Sequence, residues 1–419
     1  MKLEFGYGKG VQIVDVPDKN LMAVLTANEM EHERRGAEAI DYALDNPIGS
    51  ERLSSLVTPG QKVVIITSDI SRPLPSYDVL PSVLNELNKG GVPDEDITLV
   101  FALGSHRPHT EEEKRHLAGD EAYERINCVD SNPNNCVLTG TSSNGTPFAF
   151  DKTVVDADFR IALGNIEFHY FAGYSGGVKA LMPGVSTPEA IQANHSLMVS
   201  DDACAGKLEG NPVRQDLEEA LDFCPIHFIV NAVLDEHKHI VYAVAGDVIK
   251  AHRVGCKYLD QMYRKPIPKK ADIVIVSQGG APKDANLYQT QKAIDNAKHA
   301  VADGGTMIVV GACNEGLGSA RFEEWLVNAP TAHSMIDRIA ADFQLGGHKA
   351  AAIAMVLEHA QIDLVSEMDP EFVKSIFMNP KNSAQESFDE AMQRYGDDAT
   401  VIAMPFGGAT LPIVSPNEA

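Results

Sequence analysis

No stretch of this 419-residue chain is apolar over the roughly 20 residues that a bilayer-spanning helix needs, so no transmembrane segment is expected. The opening Met-Lys-Leu-Glu-Phe-Gly-Tyr-Gly lacks the apolar core of a secretion signal. The cysteines (Cys128, Cys136, Cys204, Cys224, Cys256, Cys313) are scattered without a CxxC pair, which sets aside a zinc cluster. A reduced, cytoplasmic protein is the expectation. Positive charge is also scarce: 35 Lys and Arg face 59 Asp and Glu, a formal net charge of −24. That balance argues against nucleic acid and against an anionic membrane as partners. It also sets a condition on any anionic substrate, whose site must gather its own cations against the field of the whole surface. Repeats of fixed period and low-complexity tracts are missing as well.

What is present is the composition of a globular protein, 44% hydrophobic and 22% charged, in a chain too long for one ordinary core. Residues 1–60 offer a short β-like run at 21–25 and a helical pattern over about 37–56. Then one pattern comes three times: a β-branched run, a loop rich in functional groups, and a helix. The first strand, 62–67, leads into Ser68-Asp69-Ile-Ser-Arg72-Pro73 and a helix over 77–88. The second, 94–103, opens into Gly104-Ser-His106-Arg107-Pro108-His109 and an acidic helix start. The third, 159–163, runs into a glycine-dense loop that holds His169 and Lys179 and ends in a helix with His195. Such an order describes an α/β sheet with its ligand at the carboxyl ends of the strands. A hairpin over 226–234 and 239–244 and a helix over 247–263 follow, and then Arg264-Lys-Pro-Ile-Pro-Lys-Lys270, which reads as a linker. Beyond it the pattern restarts with strands at 271–276 and 305–311. Two α/β domains are expected, 1–265 carrying the lysine and histidines and 266–419 closing over the site, with the active site in the cleft between them. The last residues are free to return to the first domain.

The glycine loop invites a phosphate-loop reading, but its spacing rejects it: Val178 and Ala180 stand where Gly and Ser or Thr would flank the lysine. Lys179 in a glycine-rich, partly apolar setting instead suits a covalent attachment point, because burial frees a lysine amine. Thr187-Pro188 reads as a helix cap and first helical residue, which puts His195 two turns along that helix. A lone helical histidine is ordinarily structural, so the pattern by itself does not make His195 a ligand. Asp69 and Arg72 suit a histidine-orienting carboxylate and a carboxylate clamp, or a turn cap with a surface arginine. His106 and His109 share a loop; one histidine in acid/base work fits better than a metal pair, and a helix-capping histidine is the other reading. Tyr288 and Lys292 are spaced i, i+4 on one face of a helix that also carries Gln289.

Together, Asp69-x-x-Arg72-Pro73, Gly104-Ser-His106-Arg107, His169-Tyr-Phe-Ala-Gly-Tyr-Ser-Gly-Gly-Val-Lys179, Asn194-His195 and Tyr288-Gln289-x-x-Lys292 resemble the nickel-dependent lactate racemase family. The resemblance runs from about residue 60 to 310 and continues more faintly to the end. It implies a racemase or epimerase of 2-hydroxy acids that works by hydride transfer. The implied cofactor is nickel in a nickel-pincer nucleotide (pyridinium-3-thioamide-5-thiocarboxylic acid mononucleotide) attached to Lys179, supplied by cofactor-maturation enzymes. By the same resemblance His195 is the protein ligand to nickel, and His106 and His169 are the paired acid/base residues. Asp69 orients one of them, Arg72 and Lys292 hold the substrate carboxylate, and Tyr288 and Gln289 line the site from the second domain. Val178 departs from the family pattern, in which a basic residue stands beside the lysine. A dehydrogenase and a cofactor-storage protein are the alternatives; the first is disfavoured by the lack of a G-x-G-x-x-G after a strand. Homo-oligomerisation stays open on sequence.

Overall fold

A computed structural model describes residues 1–235 and 237–415, and the chain falls into two compact units, one of residues 30–261 and one of residues 1–29 with 262–419. This differs from the expected 1–265 and 266–419. The strand Leu21–Val24 pairs in parallel with Val401–Met404, so the first residues belong with the C-terminal ones. Nothing local in the sequence encodes that partnership. The expected linker is itself a strand, Arg264–Ile267, hydrogen-bonded in parallel to Leu411–Val414, which keeps the end of the described chain in the C-terminal unit and not in the other.

In the 30–261 unit the six-stranded sheet has the order Ile240–Gly246, Phe228–Leu234, Phe159–Ile166, Val63–Ser68, Ile97–Ala102, Asn127–Asp130. All neighbours are parallel except the first pair, an antiparallel hairpin. The chain starts in the middle at Val63–Ser68, steps outward twice, and returns to the other side of that strand with Phe159–Ile166. The direction therefore reverses between the Val63–Ser68 and Phe159–Ile166 strands, the place where open α/β sheets bind ligands. All eight residues of Phe159–Ile166 are buried, in keeping with its near-continuous apolar run. The helix Ser76–Lys89 buries Val79, Leu80, Val83, Leu84 and Leu87 on one face, packed with Ile65, Leu99 and Ile161 of the sheet. Truncating one of these, such as Leu84→Ala, is expected to cost about 2–5 kcal/mol. The expected single helix over 37–56 is two pieces, Gly36–Asp45 and Leu53–Leu56. Pro47 ends the first, because its ring disfavours helical backbone at Asn46.

The other unit repeats the architecture with an all-parallel sheet, ordered Asn379–Lys381, Gln361–Val365, Val301–Val310, Ala271–Ser277, Val401–Met404, Leu21–Val24. Its core gathers Ile273, Ile275, Ile308, Val310 and Phe388. Among the described residues no helix is long and apolar enough to cross a membrane.

Candidate functional site

Three loops leave the carboxyl ends of the Val63–Ser68, Ile97–Ala102 and Phe159–Ile166 strands, and each carries residues that the sequence singles out. The first turns at once into Asp69, a buried carboxylate, with the Arg72 N–H bonded back to the Asp69 carbonyl at 3.0 Å. The second brings His106 against it: Nδ1 of His106 lies 2.5 Å from Asp69 Oδ2. Ser71 Oγ donates to both Asp69 oxygens at 2.9 Å. Burial pushes the Asp69 carboxyl up, yet the hydrogen bonds from His106 and Ser71 and the charge of Arg72 outweigh it and hold the group below its ordinary range. An ionised carboxylate only accepts, so His106 donates from Nδ1, and in the neutral ring it is Nε2 that carries the lone pair.

His109, on the same loop, does something else. Its Nε2 accepts from the Ile70 N–H at 3.0 Å and its Nδ1 bonds Asp130 Oδ1 at 2.6 Å, so both ring nitrogens are committed to tying the first two loops to the sheet edge. It is a structural histidine.

The glycine-rich loop is held from below by three side chains. Asn231 Oδ1 accepts from the Gly177 N–H at 2.7 Å, and the His252 ring meets the Ser175 carbonyl at 2.8 Å. Buried Arg214 donates to the carbonyls of Ala172 (3.1 Å) and Tyr174. Gly173 has φ +78°, and a Cβ there would stand 2.1 Å from the Lys207 carbonyl oxygen, so only glycine lets the loop pass. Lys179 follows in the short 3₁₀ turn Gly177–Ala180. Burial first, then the charges of Arg214 and Arg72, pull its amine well below the ordinary lysine range, and no carboxylate pairs with it among the described residues. An unprotonated amine is a nucleophile.

Phe171 is the hub of this region. Its ring centroid lies 4.5 Å from that of His169, 4.9 Å from that of His195 and 5.9 Å from Lys179 Nζ. His169 accepts at Nδ1 from the Ala172 N–H at 3.2 Å. Burial, followed by the charges of Lys179 and Arg72, drives its pKa well down, so the ring is neutral with its proton on Nε2. His195, 7% exposed, sits near the end of the helix Pro188–Ser196, which starts as expected with the Thr187 side chain as cap and Pro188 first. Its Nδ1 lies 2.8 Å from Asn194 Oδ1.

In the other unit, Tyr288, Gln289 and Lys292 occupy the first turns of the helix Leu287–Ala297, capped by Asn286, with Gln289 and Lys292 exposed. The backbone alone does not hold Tyr288. Lys349 Nζ donates to its carbonyl at 2.6 Å and stands 4.0 Å over its ring. Sequence reasoning passed over Lys349, Arg214 and Phe171. Phe171 and Lys349 read as a core aromatic and a surface lysine, and only the aromatic density of His169-Tyr-Phe-Ala marked the first.

Among the described residues no three His, Cys, Asp or Glu side chains come together as a metal cage.

Comparison with known proteins gives a concordant result. Residues 7–206 match the model of the lactate racemase N-terminal domain, and residues 267–411 that of the lactate racemase C-terminal domain. The chain is 33% identical over 417 residues to the lactate racemase of Thermoanaerobacterium thermosaccharolyticum, covering 97% of each. It is 31% identical over 417 residues to the lactate racemase of Lactiplantibacillus plantarum, covering 97% of this chain and 98% of that one. The solved lactate racemase apoprotein of T. thermosaccharolyticum superimposes with a TM-score of 0.87 at 32% identity, over 98% of this chain and all of that one. A Thermotoga maritima protein of known structure, 17% identical, shares the fold with a TM-score of 0.62 over 92% of this chain.

Proposed function

This chain belongs to the lactate racemase family and is an isomerase of the racemase kind, and from that premise we propose that it inverts the hydroxyl-bearing carbon of a small 2-hydroxy acid, with lactate as the default substrate. The family implies a cofactor. We infer that this is the nickel-pincer nucleotide, joined covalently to Lys179 and ligated at nickel by His195.

One observation carries the reading: Lys179 presents a low-basicity amine, without a carboxylate partner among the described residues, on the same aromatic ring as His169 and His195. The donor set fits the group as well. Among the described residues no three metal-binding side chains come together, and a single imidazole would suit a nickel ion that brings sulfur and carbon ligands of its own. Val178 is buried and apolar, so it supplies no charge beside the lysine. Arg214 is the cation under this loop, and its Nη1 lacks a hydrogen-bond partner among the described residues.

When bound, the cofactor supplies an acceptor for hydride from the substrate carbon. Everything else falls to the chain. Arg72 holds the substrate carboxylate, as a cation gathered against the acidic surface. By the family resemblance, Lys292, Tyr288 and Gln289 are proposed as further substrate-binding residues. His106, with an unprotonated Nε2 and ionised Asp69 behind Nδ1, takes the hydroxyl proton of one enantiomer, and the resulting imidazolium rests on Asp69. His169 serves the other enantiomer, whose hydroxyl is presented from the opposite side. The substrate carboxylate offsets the charge of Arg72, one of the causes that keep His169 neutral. His169 thereby becomes able to carry a proton.

The test is intact mass with nickel analysis on protein made together with the maturation enzymes. An adduct lost in Lys179→Ala and about one nickel per chain are expected. An adduct that persists unchanged in Lys179→Ala would falsify the attachment. A fully loaded protein that inverts no acid in a broad panel would instead be a cofactor store.

A further inference from the structure

A fully buried carboxylate lies outside the reacting groups. Asp216, on the helix Pro212–Glu219, accepts from Ser142 Oγ at 2.5 Å, Thr146 Oγ1 at 2.8 Å and Asn194 Nδ2 at 2.8 Å, with Asn144 Nδ2 at 3.4 Å. Among the described residues it has no ion-pair partner, so hydroxyls and amides alone satisfy this buried carboxyl group. Ser142 and Thr146 close the hairpin between the strands Cys136–Thr141 and Pro147–Asp151. Their backbones bond each other at 2.9 Å, and the Thr146 N–H reaches Ser142 Oγ at 3.0 Å. That hairpin thus offers two fixed hydroxyls to one acid.

The direction of each bond follows from the acceptors around Asn194. A backbone carbonyl can only accept, and the nitrogen that donates to the carbonyl of Val213 also donates to Asp216, so the amide turns its NH₂ toward both. The second Nδ2 hydrogen goes to the Val213 carbonyl at 3.2 Å. Both amide hydrogens are used, and the atom left facing His195 is the oxygen, 2.8 Å from Nδ1. An amide oxygen cannot donate, so the His195 proton is on Nδ1. A neutral imidazole has one such proton, and Nε2 is left with its lone pair. Metal ligation requires that unprotonated nitrogen.

We propose that Asp216 and Asn194 are positioning residues that set the tautomer of His195, holding its Nε2 unprotonated for nickel before the cofactor arrives. The nickel part rests on the reading of His195 as metal ligand; the tautomer part does not. Asp216→Asn replaces an obligate acceptor by an amide that can also donate, and this leaves the Val213 carbonyl alone to orient Asn194. Where the Asn194 amide turns over, its NH₂ faces Nδ1 of His195, which becomes the acceptor, and the ring proton moves to Nε2. Asn194→Ala removes the relay altogether.

The experiment has two readouts on the full-length chain. In cofactor-free protein, the 15N shifts of labelled histidines at a pH where the rings are neutral report the His195 tautomer. In protein loaded alongside the maturation enzymes, nickel retention against a chelator reports affinity. The expected result is Nδ1–H in the parent chain, a shift of population toward Nε2–H in both variants, and nickel bound about 10–100-fold more weakly. If Asp216→Asn does not fold, Asn194→Ala decides by the same two readouts. A parent chain with Nε2–H, or folded variants that keep Nδ1–H, overturns the proposal. A tautomer that shifts while nickel is retained undiminished supports the relay and overturns His195 as the nickel ligand.

Discussion

Two histidines face this site from opposite electrical surroundings. His106 backs onto an anion, Asp69, so that its proton is on Nδ1 and the neutral ring offers Nε2 as acceptor. His169 stands among cations and a backbone N–H, and is left neutral with its proton on Nε2. One is built as an acceptor and the other as a donor, although the reaction asks each to do both jobs in turn. The difference teaches that the cofactor-free protein is asymmetric and that substrate binding has to level it. A substrate carboxylate at Arg72 offsets one of the charges that bear on His169.

The largest break in that comparison comes from removing either ring. His106→Ala and His169→Ala are each expected to lower inversion by about 10²–10⁴-fold while the Lys179 adduct and nickel persist, checked by assay and by intact mass on one preparation. Loss of nickel in either variant, with retention in His195→Ala, would show that ligand and base have been exchanged.

Asp69→Asn tests the acceptor side more finely. The amide can turn its NH₂ toward Nδ1, so His106 loses its fixed tautomer and the partner of its imidazolium. A drop on the order of 10²-fold is expected in kcat, with little change in KM. An equal loss in KM alone would make Asp69 a substrate contact instead.

Stability reads the cation-rich side. In the folded, cofactor-free chain the Lys179 amine has its pKa depressed, whereas in the unfolded chain it has its ordinary value of 10.5. At neutral pH unfolding therefore takes up a proton there, which disfavours the folded state. Lys179→Met removes that penalty and should raise the melting temperature of cofactor-free protein, by about 2–4 °C for each 1 kcal/mol. A lower melting temperature would mean that the amine has a partner.

The smallest effect is in the pH dependence. His169 and His252 are both held neutral, chiefly by burial, with folded pKa values below the ordinary 6.5. The unfolded state then binds more protons below about pH 6.5, so their contribution to stability is present above that pH and is lost as pH falls through it. His169→Gln should flatten the slope of melting temperature against pH between roughly 6.5 and 5. An unchanged slope would remove His169 from the comparison.

Much of this was legible in the chain because it is local. Strand, loop and helix in sequence place Asp69, His106 and His169 at the carboxyl ends, and Thr187-Pro188 marks the helix that carries His195. What escaped is long-range or conditional. Asp216 is 22 residues from Asn194 and on a helix where an acid reads as surface. Phe171 passes for core. The division of the chain escaped too, because Leu21–Val24 finds its neighbour near the other terminus, and no nearby residue announces this. Pro47 did announce the helix break, and only the apolar pattern around it argued otherwise.

That early strand has a consequence for synthesis. The unit of residues 30–261 has all its strands in hand once residue 246 has left the ribosome, and can close while the rest is still being made. Leu21–Val24 has to wait for Val401–Met404, about 380 residues later, which at about 5–20 residues per second is on the order of 20–75 seconds. For that time the chain trails an unpaired Leu-Met-Ala-Val edge behind a finished neighbour. A truncation that stops short of residue 401 would leave that edge open for good.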